Sequence, residues 1–213
     1  INVRIQLHKI TRSAVIDFTG TSIQLDNNFN APSSVIKAVV LYVFRSLVAD
    51  AIPLNEGCLK PIKIVIPEGS MLNPTFPAAV VAGNVETSQC VANALFGALA
   101  ASGSSQCTMN CFSFGNDSHQ YIETIAGGAG ATRGHNGADA VQTNMTNSLI
   151  TDPEILEMKY PVRLDRFEIR SASGGKGRWH GGNGVVRQVQ ALEAMTASIL
   201  SNNRKVPPFG MAG

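Results

Sequence analysis

Apolar and polar residues alternate at the start of the chain. Val3, Ile5 and Leu7 are interleaved with Arg4, Gln6 and His8, and Ala14, Ile16 and Phe18 fall on alternate positions soon after. A period of two sends successive side chains to opposite faces of a strand, so the two runs predict a β-hairpin. Residues 27–30 break the alternation, and the period then changes. Ile36, Val39, Val40, Val43, Phe44 and Leu47 recur at helical spacing, with Lys37 and Arg45 as polar exits. They predict a deeply buried helix over about 32–49, with Asn30 as its cap and Pro32 in the first turn, where its missing N–H is not needed. Ile62, Ile64 and Ile66 read as a strand that stops at the Pro67-Glu68-Gly69 turn.

A second helix is predicted from Val91, Ala94, Leu95, Ala98 and Leu99, which fall on one helical face. Asn84 is placed to cap it, Glu86 suits the positive end of its dipole, and Gly103 is placed to end it. The remainder reads as strand and loop, with strands at 107–114, 121–125, 138–145, 162–170, 184–190 and 196–200. The alternation breaks between Leu164 and Phe167, which predicts a β-bulge near Asp165. Two helices among eight or nine strands imply an α+β fold with mostly antiparallel or mixed sheet and glycine-rich loops. The chain is treated as one domain over 1–213, with a sub-boundary allowed at 103–120.

Composition narrows the function classes. Of 213 residues, 44% are apolar, which suits a packed core, and only 15% are charged. The surface is then polar but uncharged, or covered by a partner. A net charge of +2 gives no electrostatic footprint for nucleic acid or an anionic membrane. No apolar run approaches a membrane span, no secretory signal opens the chain, and the four cysteines are scattered. A reduced, cytoplasmic protein is expected. The chain starts at Ile1 directly in a strand pattern and ends on an apolar, glycine-containing segment, so both ends read as cut from a longer polypeptide.

Candidate chemistry sits in three places. Gly127 to Gly137 is glycine-rich, but Arg133 stands where a dinucleotide fingerprint needs its third glycine, and a strand pattern follows instead of a helix. Such a loop still lets backbone approach a ligand, and Arg133 and His135 suit an anion or a proton transfer. The second glycine-rich stretch, 173–184, reads as a tight turn region beside Trp179. Cys107 and Cys111 lack a second pair at zinc spacing and read as small core residues. The densest polar cluster is Gly83-Asn84-Val85-Glu86-Thr87-Ser88-Gln89, at a helix start whose free amides can hold an oxyanion. Glu123 lies on a strand that runs into the first glycine loop. Glu86 and Glu123 could divide general acid and base roles.

These residues also carry a family likeness. Pro77-Ala78-Ala79-Val80, Gly83 to Gln89, Tyr121 to Gly128, Met145-Thr146-Asn147, Ile150-Thr151-Asp152-Pro153-Glu154, Tyr160-Pro161-Val162-Arg163, Gly181-Gly182-Asn183-Gly184 and Arg204 to Gly210 resemble the hydantoinase B/5-oxoprolinase family, as do Asp17-Phe18-Thr19-Gly20-Thr21 and Asn30-Ala31-Pro32 upstream. The match is to the C-terminal part of a B-type subunit or of a fused ATP-dependent oxoprolinase. The chain departs from the family pattern at Gln142 and Asn144, where a histidine is expected, and at Cys90, Cys107 and Cys111.

The resemblance implies ATP-dependent opening of a cyclic amide such as 5-oxoproline or a hydantoin. A partner A-type subunit or domain would bind ATP and magnesium and phosphorylate the amide oxygen. The B-type part would help hydrolyse the activated lactam, with no cofactor or metal held by this chain. Its other partner would be the N-terminal portion of the B-type subunit. Asn84, Glu86, Ser88, Glu123, Arg133 and His135 are expected to line one cleft. Glu86 or Glu123 would serve as general base, His135 as proton donor, and Asn84, Ser88 and Arg133 as substrate contacts. The isolated chain is expected to be inactive. Two competing readings keep the scaffold: a non-catalytic assembly segment, or part of an ATP-dependent ketone carboxylase.

Overall fold

The first hairpin forms where the alternation places it. β1 (Arg4–His8) and β2 (Ser13–Asp17) pair antiparallel, with Ile5 opposite Ile16, and β3 (Ile62–Val65) joins β2 in parallel. A parallel partner needs a crossover, and α1 (Ser33–Ser46) lies in the connection. Ile36, Val39, Val40 and Val43 of α1 are fully buried, as the apolar face predicts. The structure, a computed structural model, describes residues 1–211. The chain divides into two compact units, Ile1–Ser102 and Gly103–Gly213.

The first unit ends in a wide π-helical turn, Gly83–Thr87, that runs directly into α2 (Ser88–Ala98). α1 packs on α2, and Tyr42 meets Phe96 edge-on at 6.2 Å between ring centres. Three end assignments are corrected. Asn30 does not cap α1: Pro32 stands at that position without a side-chain bond, and Asn30 is buried elsewhere. Asn84 does not cap α2, because the π turn has already begun at Gly83 and its capping position is Ala82. Gly103 does not end α2, which stops at Ala98 with Leu99 as the cap.

The second unit holds two small sheets. β4 (Cys111–Gly115) lies between β5 (Gln120–Thr124) and β8 (Thr196–Leu200), antiparallel to both. β6 (Val162–Ile169) pairs antiparallel with β7 (Val185–Ala191), and the register shifts between Leu164 and Arg166, the expected bulge. The α+β class and the mixed, mostly antiparallel pairing match the sequence reading. The helix count does not. A third helix, α3 (Pro153–Lys159), has Asp152 as its N-cap, whose carboxylate accepts from the Glu154 amide at 2.9 Å. Its Leu156 is fully buried and forms a core with Phe114 and Val162. Tyr121 and Tyr160 pack against that core, with ring centres 4.9 Å apart.

The strand expected at 138–145 is absent. That segment contributes only an isolated pairing of Val141 with Gly127 and is otherwise held against two glycine-rich stretches. The Ala129 amide donates to the Ala138 carbonyl, Gly182 to Ala129, and Gly137 to His180. No side chain fits between these backbones. A Cβ on Gly128 would run into the Gly182 carbonyl, and one on Gly182 into the Ala138 carbonyl. Among the described residues, no helix is long and apolar enough to cross a membrane.

Candidate active site

The polar start of the second helix is enclosed. Glu86, Thr87, Ser88 and Gln89 are four consecutive polar residues, and none is more than 3% exposed. An ordinary amphipathic helix buries one face and leaves the others wet, so four successive buried positions mean cover on every side. The backbone there is a π turn: the Ser88 amide donates to the Gly83 carbonyl, five residues back. Such turns recur at functional sites, because the extra residue re-aims side chains that a regular helix would direct elsewhere.

Residues 27–31 hold this turn in place. Asn30 is fully buried, and its side chain lies within hydrogen-bond reach of four backbone groups. Its oxygen accepts from the Leu25 amide at 2.8 Å, and its amide nitrogen donates to the carbonyls of Leu25, Asn27 and Ala79 at 2.9, 2.9 and 3.0 Å. Thr87 donates its hydroxyl to the Phe29 carbonyl at 2.5 Å, and the Ala82 amide donates to the Asn28 carbonyl at 2.9 Å. A Cβ at Gly83 would lie 2.5 Å from the Asn30 carbonyl oxygen, so only glycine allows this approach. Ser88 donates its hydroxyl to the Asn84 carbonyl, and the Asn84 side chain is exposed. Asn84, Glu86 and Ser88 thus follow one another along the turn and the start of α2, with Asn84 exposed and the other two buried.

Glu123 sits in the second unit, on β5, and its carboxylate is gripped from two directions. Arg187 of β7 donates Nε to Oε1 at 2.6 Å and Nη2 to Oε2 at 3.0 Å, while the Tyr121 hydroxyl donates to Oε2 at 2.6 Å. Both charged side chains are sealed, at 0% exposure for Arg187 and 2% for Glu123. Arg187 Nη2 also reaches the Thr151 carbonyl at 3.2 Å, and its guanidinium lies 4.8 Å from the centre of the Phe167 ring, opposite it in the sheet. Burial, and then the hydrogen bond to Glu123, push the Tyr121 hydroxyl above its ordinary pKa of 10.0. Arg133 and His135 lie exposed on either side of Gly134, at the tip of the glycine loop, where Thr132 and His135 pair across a tight turn. Gly134 there adopts φ +98, a conformation glycine favours.

Sequence reasoning missed Arg187 and the lacing role of Asn30. A lone arginine among the valines of a predicted strand was the available signal, but its partner lies 64 residues away. Among the described residues, no group of three His, Cys, Asp or Glu side chains is placed to hold a metal ion.

The whole chain, residues 1–213, matches the family described as hydantoinase B/oxoprolinase. The chain belongs to this family. The 5-oxoprolinase of Dictyostelium discoideum is 46% identical over 213 residues, which is all of this chain and 17% of that protein. This member therefore spans about 17% of the length of that relative. Two solved structures share the fold. The ATP-dependent caprolactamase from Pseudomonas jessenii aligns with a TM-score of 0.75 at 22% identity, over 92% of this chain and 36% of that one. An acetone carboxylase in its nucleotide-free form aligns with a TM-score of 0.80 at 19% identity, over 94% of this chain and 29% of that one.

Proposed function

We propose that this hydantoinase B/oxoprolinase member is part of an ATP-dependent cyclic amide hydrolase of the 5-oxoprolinase type. In this reading it helps hydrolyse a phosphorylated lactam made by an A-type subunit or domain. The observation that carries the reading is the enclosed π turn with Glu86 at its centre, laced to Asn30. A buried carboxylate on a rigid turn, beside hydroxyl and amide groups, can receive a proton from water in a site that excludes bulk solvent. The resemblance to a 5-oxoprolinase over the full length of the chain supports the substrate class.

A five-membered lactam resists water because its nitrogen donates into the carbonyl. Phosphate on the amide oxygen removes that resistance. Water then adds to the lactam carbon and gives a proton to the base, which leaves a tetrahedral centre bearing nitrogen, hydroxyl and phosphate. Loss of phosphate from that centre would regenerate the lactam. Productive collapse needs the nitrogen to leave, and that requires a proton on it. The resulting acyl phosphate takes a second water to give the open-chain acid and phosphate. Glu86 is assigned as the base. Glu123 is already occupied by Arg187 and Tyr121, so its role is to hold β5 and β7 together. His135 is assigned as proton donor to the nitrogen. Arg133 is assigned to the substrate carboxylate or the phosphate, and Asn84 and Ser88 to positioning.

The test is co-expression with an A-type subunit and the remainder of the B-type polypeptide, followed by an assay of 5-oxoproline opening with and without ATP. ATP-dependent release of glutamate supports the reading. Bicarbonate-dependent carboxylation of a ketone, or assembly with no turnover, contradicts it.

A further inference from the structure

The first unit carries a pocket that the proposed chemistry does not use. It lies between the hairpin turn and the C-terminal half of α1 and has a volume of about 490 Å³, a size typical of small-molecule sites. Leu41, Phe44, Val48, Ile52 and Ile62 line it with apolar surface. Four basic residues, His8, Lys9, Arg12 and Arg45, also line it, and no aspartate or glutamate does. Arg45 is held in place, because Nη1 donates to the Val48 carbonyl at 3.3 Å and Nη2 to the Ile52 carbonyl at 3.1 Å. Arg12 adopts φ +49, a left-handed conformation in which asparagine or glycine is the easier choice. An arginine there keeps its charge beside the pocket at a steric cost.

Three cationic side chains, Lys9, Arg12 and Arg45, line this apolar hollow, and no lining carboxylate offsets them. Lys9 and Arg12 are solvent-exposed where they line the pocket, so an anionic head group can meet their charge while staying at the edge of the apolar walls. The hollow itself rewards a hydrocarbon. We propose that this pocket binds a small amphipathic carboxylate, with its head on Lys9 and Arg12 and its alkyl or aryl body between α1 and the hairpin. The site is independent of the Glu86 turn.

A methyl-detected NMR titration of the full 213-residue chain with hexanoate, octanoate and decanoate tests this, with the 1-alkanols of equal length as uncharged controls. Methyl signals of Leu41, Val48, Ile52 and Ile62 are expected to shift and saturate. Affinity should rise about fifteenfold for each two methylenes buried, and the alkanol should bind about tenfold more weakly than the carboxylate. Arg12→Asn, which tolerates the left-handed turn, and Lys9→Gln should each weaken carboxylate binding several-fold and leave alkanol binding unchanged. Shifts that do not saturate, shifts centred elsewhere, or equal affinity for carboxylate and alkanol would overturn the proposal.

Discussion

Arg187 grips Glu123 through two parallel hydrogen bonds, Nε to Oε1 at 2.6 Å and Nη2 to Oε2 at 3.0 Å, with both side chains out of reach of water. Removing one partner strands a buried charge, while removing both does not. Arg187→Met is therefore expected to destabilise the chain by about 3–5 kcal/mol. The double variant Glu123→Leu/Arg187→Met should recover most of that loss. Urea denaturation of the single and double variants measures both, and a single variant as stable as the parent would contradict the account.

Tyr121 gives this network a pH signature. Burial and its bond to Glu123 raise the hydroxyl above 10.0, so the folded state holds the proton more tightly than the unfolded chain does. Its contribution to stability is full below pH 10.0, the unfolded value, and is lost as pH rises through the higher folded value. Denaturation midpoints measured from pH 8 upward should fall at the alkaline end, and Tyr121→Phe should flatten that part of the fall.

The glycine-rich stretches make a steric prediction. Gly128→Ala and Gly182→Ala each push a methyl group into a backbone carbonyl that cannot move aside, and each is expected to cost about 3 kcal/mol. Gly175→Ala meets no atom within 4 Å and should stay within about 0.5 kcal/mol. Thermal unfolding of the three variants separates a packed glycine interface from a flexible loop.

Asn30 offers the corresponding test in the first unit. Asn30→Leu leaves the Leu25 amide and three carbonyls without their partner, so a loss of about 2–4 kcal/mol is expected. Hydrogen exchange should show the π turn at Gly83–Thr87 opening before α1 does.

Much of the fold was legible because it is local. The hairpin, β3, β8 and the bulge near Asp165 follow from period-two patterning and its single break. The misses have physical reasons. α3 is only seven residues long, too short for a periodicity to emerge, although Asp152 and Pro153 marked its start. Residues 138–145 alternate like a strand, but close backbone packing with the glycine stretches replaces a ladder. Asn30 and Asn84 carry the chemistry of caps, yet Asn30 is turned onto the carbonyls of Leu25, Asn27 and the distant Ala79, and the π turn begins ahead of Asn84. At the candidate site, the polar density of residues 83–89 was visible in the sequence. The ion pair that occupies Glu123 was not, since it joins strands of two different sheets, a contact no local pattern encodes.

The central claim is that Glu86 acts as the base in lactam opening. Its most direct test is single-turnover hydrolysis of 5-oxoproline by the assembled, ATP-charged complex, comparing the parent with Glu86→Gln. The account predicts a fall in the ring-opening rate of about 10²–10⁴-fold, with complex assembly and phosphorylation of the lactam intact. An unchanged ring-opening rate in Glu86→Gln would contradict it.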